Sequence, residues 1–192
     1  MRVLVACEYS GAVRDAFLAA GHDAMSCDLL PTDAPGPHWQ GDVREVLNWK
    51  WDLMVAHPPC THLAVSGARW FEGKAREQAE ALDFVRLLMN APIERICIEN
   101  PVSIISSHIR KPDQIIQPWQ FGHEATKTTC LWLKELPHLT PTDIVGRGER
   151  HVTKSGKSLP KWYNLPPSPD RWKIRSATYP GIAAAMAAQW GA

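Results

Sequence analysis

Residues 51–57, WDLMVAH, open the stretch that decides the fold, an apolar run that ends in the polar His57. Residues 72–92, EGKAREQAEALDFVRLLMNAP, follow with the apolar spacing of an amphipathic helix and end in a proline that stops it. Residues 93–100, IERICIEN, are a second apolar run, and it ends in Glu99 and an asparagine. A strand, a helix and a strand in this order predict the repeating unit of a parallel sheet.

The same alternation occurs before and after this unit. The further segments are a strand over 2–8, a helix over 9–22, a strand over 23–29, a strand over 128–136 and an alanine-rich helix over 178–190. The 128–136 strand could pair antiparallel with a neighbour. We therefore predict an α/β fold with a doubly wound, mostly parallel sheet, formed by residues 1–192 as a single domain.

The charge of the chain is balanced, with 21 Lys and Arg against 20 Asp and Glu and a net charge of +1. A polyanionic partner would therefore have to be bound by a local surface. Residues 137–175 are basic and turn-rich, with Arg147, Arg150 and Lys161 among their cations. This segment is either a phosphate-contacting loop or a solvated one.

The cysteine pattern indicates the cellular compartment of the protein. The five cysteines are Cys7, Cys27, Cys60, Cys97 and Cys130, and their spacing lacks the pairs of a zinc module or a disulfide framework. The sequence also shows neither a secretory leader nor an apolar run of membrane-spanning length. We therefore expect a cytoplasmic protein without a membrane partner.

Polar residues follow each predicted strand of the first half of the chain. They are Glu8 with Ser10 and Gly11, Asp28, His57 with Cys60, and Glu99 with Asn100. Because ligands bind outside the carboxyl ends of the strands in open parallel sheets, these residues predict one site at one edge. The Ser-Gly pair could equally be a helix N-cap, and Asp28 could equally bind ribose hydroxyls or cap a turn.

Cys60 follows two prolines, and its thiol has three interpretations. It could be a nucleophile, a metal ligand with His57 and His62, or a small buried apolar residue. The metal site lacks a fourth ligand, and the other four cysteines lie within predicted strands whereas Cys60 lies in a loop. Glu99, at the neighbouring strand end, could donate a proton to a substrate if a closed pocket raises its pKa.

These residues resemble the motifs of the C5-cytosine-specific DNA methyltransferase family. HPPC (57–60) and IENP (98–101) resemble the Pro-Cys and Glu-Asn motifs of that family, and ACEYSG (6–11) is similar to its cofactor loop. CDL (27–29) is similar to its ribose-binding motif. The segments GDVREV, residues 41–46, and RSATYPGIAAAMAAQW, residues 175–190, resemble its adenine-contacting segment and its last motif. The resemblance implies the Rossmann-like fold of S-adenosylmethionine-dependent methyltransferases.

The resemblance also implies a role for each matching residue. Cys60 would add to C6 of cytosine, Glu99 would hold N3 and the exocyclic amine, and the methyl group would come from S-adenosylmethionine. The implied cofactor-binding residues are Glu8, Tyr9, Ser10, Gly11, Asp28, Asp42 and Pro58. The implied substrate-binding residues are Asn100, Lys127, Thr128, Arg147 and Arg150, and no metal is expected.

The chain departs from the family at two places. The segment ATKTTCLW, residues 125–132, carries Lys127 where the family has spaced arginines, and 137–175 alone is available as a reduced recognition region. The expected protein is a small, phage-like member acting on double-stranded DNA. The alternatives are the same chemistry on RNA or a free cytosine nucleotide, methylation of the amino group of cytosine or adenine, and binding of cofactor or nucleic acid without turnover.

Overall fold

A seven-stranded sheet forms the centre of the computed structural model, which describes residues 1–160, 163 and 165–192. Among these residues the strands are β1 (Arg2–Ala6), β2 (Asp23–Asp28), β3 (His38–Gln40), β4 (Leu53–Ala56), β5 (Arg95–Asn100), β6 (Gln114–Ile116), β7 (Thr129–Lys134), β8 (Arg150–Val152) and β9 (Ser158–Pro160). The α-helices are α1 (Ala12–Ala19), α2 (Ala75–Met89), α3 (Ile105–His108), α4 (Arg171–Ser176) and α5 (Pro180–Trp190).

The strand order in the sheet is β3-β2-β1-β4-β5-β7-β6. The first five strands in this order are parallel, and β7 lies antiparallel between β5 and β6. The order reverses beside β1, so the chain runs outward from the middle of the sheet in both directions. The predicted doubly wound, mostly parallel α/β fold is confirmed.

The central strands are apolar on both faces because helices cover both sides of the sheet. Val3 and Val5 of β1 pack into the cluster that contains α1 and α5, whereas Leu4 and Ala6 pack into the cluster that contains α2. Successive side chains of a strand point to opposite faces, so a continuous apolar run is what two covered faces require.

The alanines of α5 permit close packing against α1. Ala183, Ala185 and Ala187 are buried in the same cluster as Phe17 of α1, and Trp190 closes the end of that cluster. The helix therefore stabilises the sheet directly behind the loop that joins β1 to α1.

The structure differs from the sequence prediction in two segments. Residues 137–175 contain the β8–β9 hairpin and all of α4 except its last residue, although this region was predicted as loop; Lys161 lies outside the described residues. Cys7 lies one residue beyond β1 with a positive φ of 58°, so its assignment to a strand was wrong. The short strands β3 and β6 escaped notice because three residues are too few to show a period of two.

Helices of membrane-spanning length and apolarity do not occur in the described part of the chain. The extent of a single domain over 1–192 stays a prediction.

Candidate active site

The parallel strands bring the predicted site residues to one edge of the sheet. Ala6 pairs with Cys27 and with Ala56, and Ala56 pairs with Ile98, so the ends of β1, β2, β4 and β5 lie side by side. The His57 N–H continues this register by donating to the Ala6 carbonyl at 2.9 Å. The side chains that follow these strands therefore face a common rim, as expected for a doubly wound sheet.

The loop after β4 presents Cys60 on a rigid support. Pro58 is buried, and its carbonyl accepts a hydrogen bond from Asn100 Nδ2 at 2.8 Å. The Cys60 carbonyl accepts from the N–H groups of Leu63 and Ala64 at 3.0 and 2.8 Å, which starts a turn. Asn100 is 1% exposed and braces this loop; a substrate contact of Asn100 and a cofactor contact of Pro58 stay predictions.

Cys60 is the exposed cysteine, whereas Cys27, Cys97 and Cys130 are buried. Protein atoms around the Cys60 sulfur desolvate the thiol and, with the Glu99 carboxylate, raise its pKa. A backbone N–H and the charges of Lys127 and Arg175 oppose that rise. The net effect is that Cys60 is a thiol in the free protein. The positive charges of Lys127 and Arg175 nevertheless favour formation of its thiolate.

Glu99 forms an ion pair with His57 at the ends of neighbouring strands. Glu99 Oε2 lies 2.9 Å from His57 Nδ1, and the two side chains are 19% and 13% exposed. Burial opposes ionisation of both groups, but the hydrogen bond and the opposite charge prevail, so the pKa of His57 is raised and that of Glu99 is lowered. Proton donation by Glu99 would need a raised pKa of this carboxyl, and that condition is not met.

Lys127 lines a cleft together with Glu99, and its charge acts on the Glu99 carboxylate. Its ammonium donates to the Ala177 carbonyl at 2.8 Å, burial lowers its pKa, and the charge of Glu99 opposes that effect. The residues that line the cleft are Glu99, Lys127, Thr129, Ser176, Ala177, Thr178, Tyr179 and Ile182. Thr128 lies beside it, and its hydroxyl accepts a hydrogen bond from Gln117 Nε2 at 2.9 Å.

The loop between β1 and α1 is held by Glu8. The Glu8 carboxylate accepts hydrogen bonds from the N–H groups of Val13 and Arg14 at 2.7 and 3.2 Å, and from the Ser10 hydroxyl at 3.2 Å. Gly11 precedes α1 with a φ of 78°, in the left-handed region that favours glycine. Glu8, 5% exposed, thus caps the helix, and cofactor contacts of Glu8, Ser10 and Gly11 stay predictions.

Tyr9 of this loop contacts the region after residue 137. Its ring lies 5.4 Å from that of Trp172 between centroids, and its hydroxyl lies 3.4 Å from the Ser176 hydroxyl. Lys173 pairs with Asp33 at 2.9 Å beside the same ring. Helix α4 therefore packs over the loop that was expected to bind the cofactor.

Asp28 and Asp42 lie at the next two strand ends. Asp28 Oδ1 accepts from the Leu30 N–H at 2.9 Å, while Asp42 accepts from the Arg44 backbone and guanidinium at 2.9 and 2.7 Å. These contacts with Arg44 lower the pKa of Asp42. Leu29 and Leu30 beside Asp28 are 73% and 43% exposed.

The two predicted arginines of the recognition region differ in their surroundings. Arg147 lies over the Trp119 ring at 5.2 Å, and its carbonyl accepts from the Thr126 hydroxyl, beside Lys127. Arg150 instead bonds Ser158 within the β8–β9 hairpin, with both distances at 2.7 Å. Their substrate contacts stay predictions.

Arg14 is a buried charge that the sequence interpretation missed. Its guanidinium is fully buried and bonds Ser26, Thr32 and the carbonyls of Ala34 and Pro35 at 3.1 to 3.3 Å. The signal was present, because Arg14 lies next to Val13 on the apolar face of α1. An arginine on such a face indicates a buried partner set.

Among the described residues, no three His, Cys, Asp or Glu side chains are grouped so that they could hold a metal ion.

Comparison with known proteins bears on the fold. Neither a protein-family model nor a curated protein matches the chain. A solved structure of a prophage-encoded E. coli protein, proposed to be a DNA modification methyltransferase, aligns at 17% identity and a TM-score of 0.50, covering 77% of this chain and 53% of that one. A mutant of Spodoptera frugiperda DNMT2 aligns at 13% identity and a TM-score of 0.46, covering 76% and 54%.

The chain thus spans about half the length of these two proteins. The strand order and the likeness to the prophage protein agree on the architecture. The chain therefore has a Rossmann-like, doubly wound fold that it shares with the prophage protein.

Proposed function

We propose that this protein transfers a methyl group from S-adenosylmethionine to C5 of cytosine in DNA, with Cys60 as the nucleophile. The observation that carries the proposal is the placement of Cys60 in the loop after β4 and of Glu99 at the end of the neighbouring parallel strand β5, near enough for the Glu99 charge to act on the thiol. Lys127 completes the group, since its charge acts on both residues.

The residues at the ends of β1 to β3 fit the cofactor that the fold implies. Asp28 uses one carboxylate oxygen within the fold, and its second oxygen has no bonded partner in the described part of the chain. Leu29 and Leu30 add an exposed apolar surface beside it. Asp28 would hold ribose hydroxyls, and Asp42 and these leucines would border the adenine. When bound, S-adenosylmethionine supplies an electrophilic sulfonium methyl group.

Cytosine C5 is a poor nucleophile, and Cys60 would correct that by covalent catalysis. The thiol loses its proton to solvent, helped by the positive charge of Lys127, and the thiolate forms a bond to C6. Glu99 accepts a hydrogen bond from the exocyclic amine and stabilises a proton taken up at N3 from solvent. The ring is then a neutral enamine whose C5 can attack an electrophile.

The same residues would complete the reaction. After C5 carries its new methyl group, the C5 proton leaves to solvent and its electron pair reforms the C5–C6 double bond. That step breaks the bond between sulfur and C6 and restores the Cys60 thiolate. The N3 proton also returns to solvent, so the products are 5-methylcytosine and the regenerated chain.

In a duplex, pairing and stacking keep C6 of cytosine out of reach of a protein side chain. The cytosine would therefore have to leave the base stack to reach Cys60 at the edge of the sheet. Arg147 lies beside the Lys127 segment and would contact a phosphate there. RNA and a free cytosine nucleotide offer the same ring and are separate outcomes of the test.

The test is expression of the chain in cells that lack cytosine methylation, followed by digestion of DNA and RNA to nucleosides for mass analysis. We expect 5-methyldeoxycytidine with the native chain and none with Cys60→Ser. Thr61→Ala, an exposed neighbour of Cys60, is the matched control and should retain the signal. N4-methylcytosine or N6-methyladenine would refute the proposed chemistry. Detection of 5-methylcytidine in RNA alone would show that the substrate is RNA and not DNA.

A further inference from the structure

The residue before the two prolines, His57, carries the further inference. Its backbone is fixed by the hydrogen bond to Ala6, and its imidazole reaches across to the end of β5, where Nδ1 lies 2.9 Å from Glu99 Oε2. This is a cross-strand contact between residues 42 apart in sequence. Both side chains are largely buried, so the pair is shielded from competing water.

Because of this contact, the two carboxylate oxygens of Glu99 differ in their hydrogen bonding. Oε2 is engaged by His57, while Oε1 has no hydrogen-bond partner in the described part of the chain, and Glu99 lines the cleft beside Lys127. The Lys127 ammonium donates its hydrogen bond to the Ala177 carbonyl rather than to Glu99. Within the described residues, the orientation of the carboxylate is therefore set by His57.

Glu8 and Lys127 act on the charges of this pair, and Cys60 and Arg175 belong to the same group of interacting side chains. Glu8 faces His57 from the end of β1, and Lys127 faces both members from the segment before β7. Cys60 lies in the loop after β4, and Arg175 of α4 acts on Cys60 and Lys127. Glu8 favours the imidazolium form of His57, and Lys127 favours the carboxylate form of Glu99, which offsets its opposing effect on His57.

We propose that His57 is a positioning residue for the methyl-transfer reaction, holding Glu99 as a carboxylate with one oxygen free for the exocyclic amine of cytosine. The inference rests on the proposed function and deepens it. A carboxylate accepts from an amine but repels a ring carbonyl at the same position, so this arrangement favours cytosine over uracil or thymine. His57 touches neither substrate nor the reacting atoms.

The raised pKa of His57 has a measurable consequence, because it keeps the imidazolium form present to a higher pH than in an ordinary histidine. Burial favours the protonated form of Glu99, and the imidazolium opposes it. Without that charge the carboxyl would take up a proton at a higher pH, and its loss as a hydrogen-bond acceptor would reduce the rate in acidic solution. Replacement by glutamine keeps a side-chain N–H donor but removes the charge.

The experiment is a comparison of kcat/KM for methyl transfer to a cytosine-containing DNA duplex between pH 5.5 and 8, using the full chain. The ratio of His57→Gln to the native chain should fall about tenfold as the pH is lowered across this range. Taking the ratio removes the shared pH dependence of Cys60. His62→Gln, in the same loop, is the matched control, and its ratio should not change with pH.

A constant ratio for His57→Gln would overturn the inference while leaving the proposed function intact. Absence of methyl transfer by the native chain would instead overturn the proposed function, and the inference with it. Should His57→Gln not fold, ¹⁵N-histidine NMR supplies the second test. A His57 pKa above the usual value in the native chain that falls in Glu99→Gln supports the pair, and identical titrations refute it.

Discussion

The rim, which is the edge of the sheet where the parallel strands end, has two halves, one at β4 and β5 and the other at β1 and β2. The two halves use charged residues in opposite ways. At the ends of β4 and β5, Cys60 is exposed and Glu99 keeps one oxygen open toward a cleft. At the end of β1 and the start of α1, the charges of Glu8 and Arg14 are almost entirely engaged by the protein itself. Polar residues at strand ends therefore indicate a rim, but not which of its members are available for chemistry.

This difference follows from what each half must hold in place. The loop after β2 lacks regular structure between Leu29 and Pro37, and Arg14 fixes it through carbonyl and hydroxyl contacts. An added Cβ at Gly11 or Gly36 would overlap the Arg14 guanidinium, so a side chain at either position would displace that group. The loop after β4 is instead fixed by prolines and by Asn100, which leaves Cys60 exposed and one oxygen of Glu99 open to the cleft.

The largest effect on stability is expected from Arg14. Arg14→Met removes a buried guanidinium together with its ion pair to Asp15 and its hydrogen bonds to the loop after β2, so we expect the free energy of unfolding to fall by about 3 kcal/mol. Urea denaturation followed by tryptophan fluorescence measures this change. Arg44→Met, at an exposed arginine paired with Asp42, is the control and should cost at most about 1 kcal/mol. Equal losses for the two variants would contradict the contrast between the halves.

A smaller loss is expected from Glu8. Glu8→Gln removes the negative charge that faces two N–H groups at the start of α1, and we expect a loss of about 2 kcal/mol. Thermal denaturation by circular dichroism measures it. Glu77→Gln, an exposed glutamate in the first turn of α2, should change the stability far less, because solvent screens its charge. A native-like stability of Glu8→Gln would show that the charge of Glu8 does not hold the start of α1.

The sequence was sufficient for the main elements of the fold and for the rim. The apolar run at 51–57 and the helical spacing of apolar residues at 72–92 can be recognised in a single sequence. The rim could be predicted as well, because the carboxyl ends of parallel strands lie at the same edge of a sheet. The partners of Arg14 and His57 could not be predicted in this way, although the position of Arg14 on the apolar face of α1 indicates its burial. Each residue depends on a partner far along the chain, and local pattern contains no distance between strands.

The His57–Glu99 pair should make stability depend on pH in a defined window. His57 has a raised pKa, so its contribution is complete below its ordinary value of 6.5 and declines as the pH rises through the folded-state pKa. Glu99 has a lowered pKa, so its contribution is complete above its ordinary value of 4.5 and declines as the pH falls. The difference between the native chain and His57→Gln should therefore be greatest between pH 4.5 and 6.5, at about 1 kcal/mol. Denaturation midpoints across pH 3.5 to about 9 test this, and a pH-independent difference would exclude an ion pair.

The smallest effect on stability is expected at Cys60, where the effect on activity should be greatest. Cys60 is exposed, and its backbone carbonyl, not its sulfur, makes the contacts that shape the loop. Cys60→Ser should therefore change the free energy of unfolding by less than about 0.5 kcal/mol while abolishing methyl transfer. Cys130→Ser is the opposite case, because its thiol is buried, with a pKa raised to about 11 by desolvation, and a hydroxyl there would lack solvent. A destabilised Cys60→Ser would mean that the thiol is part of the packing, and the two halves of the rim would then be built alike.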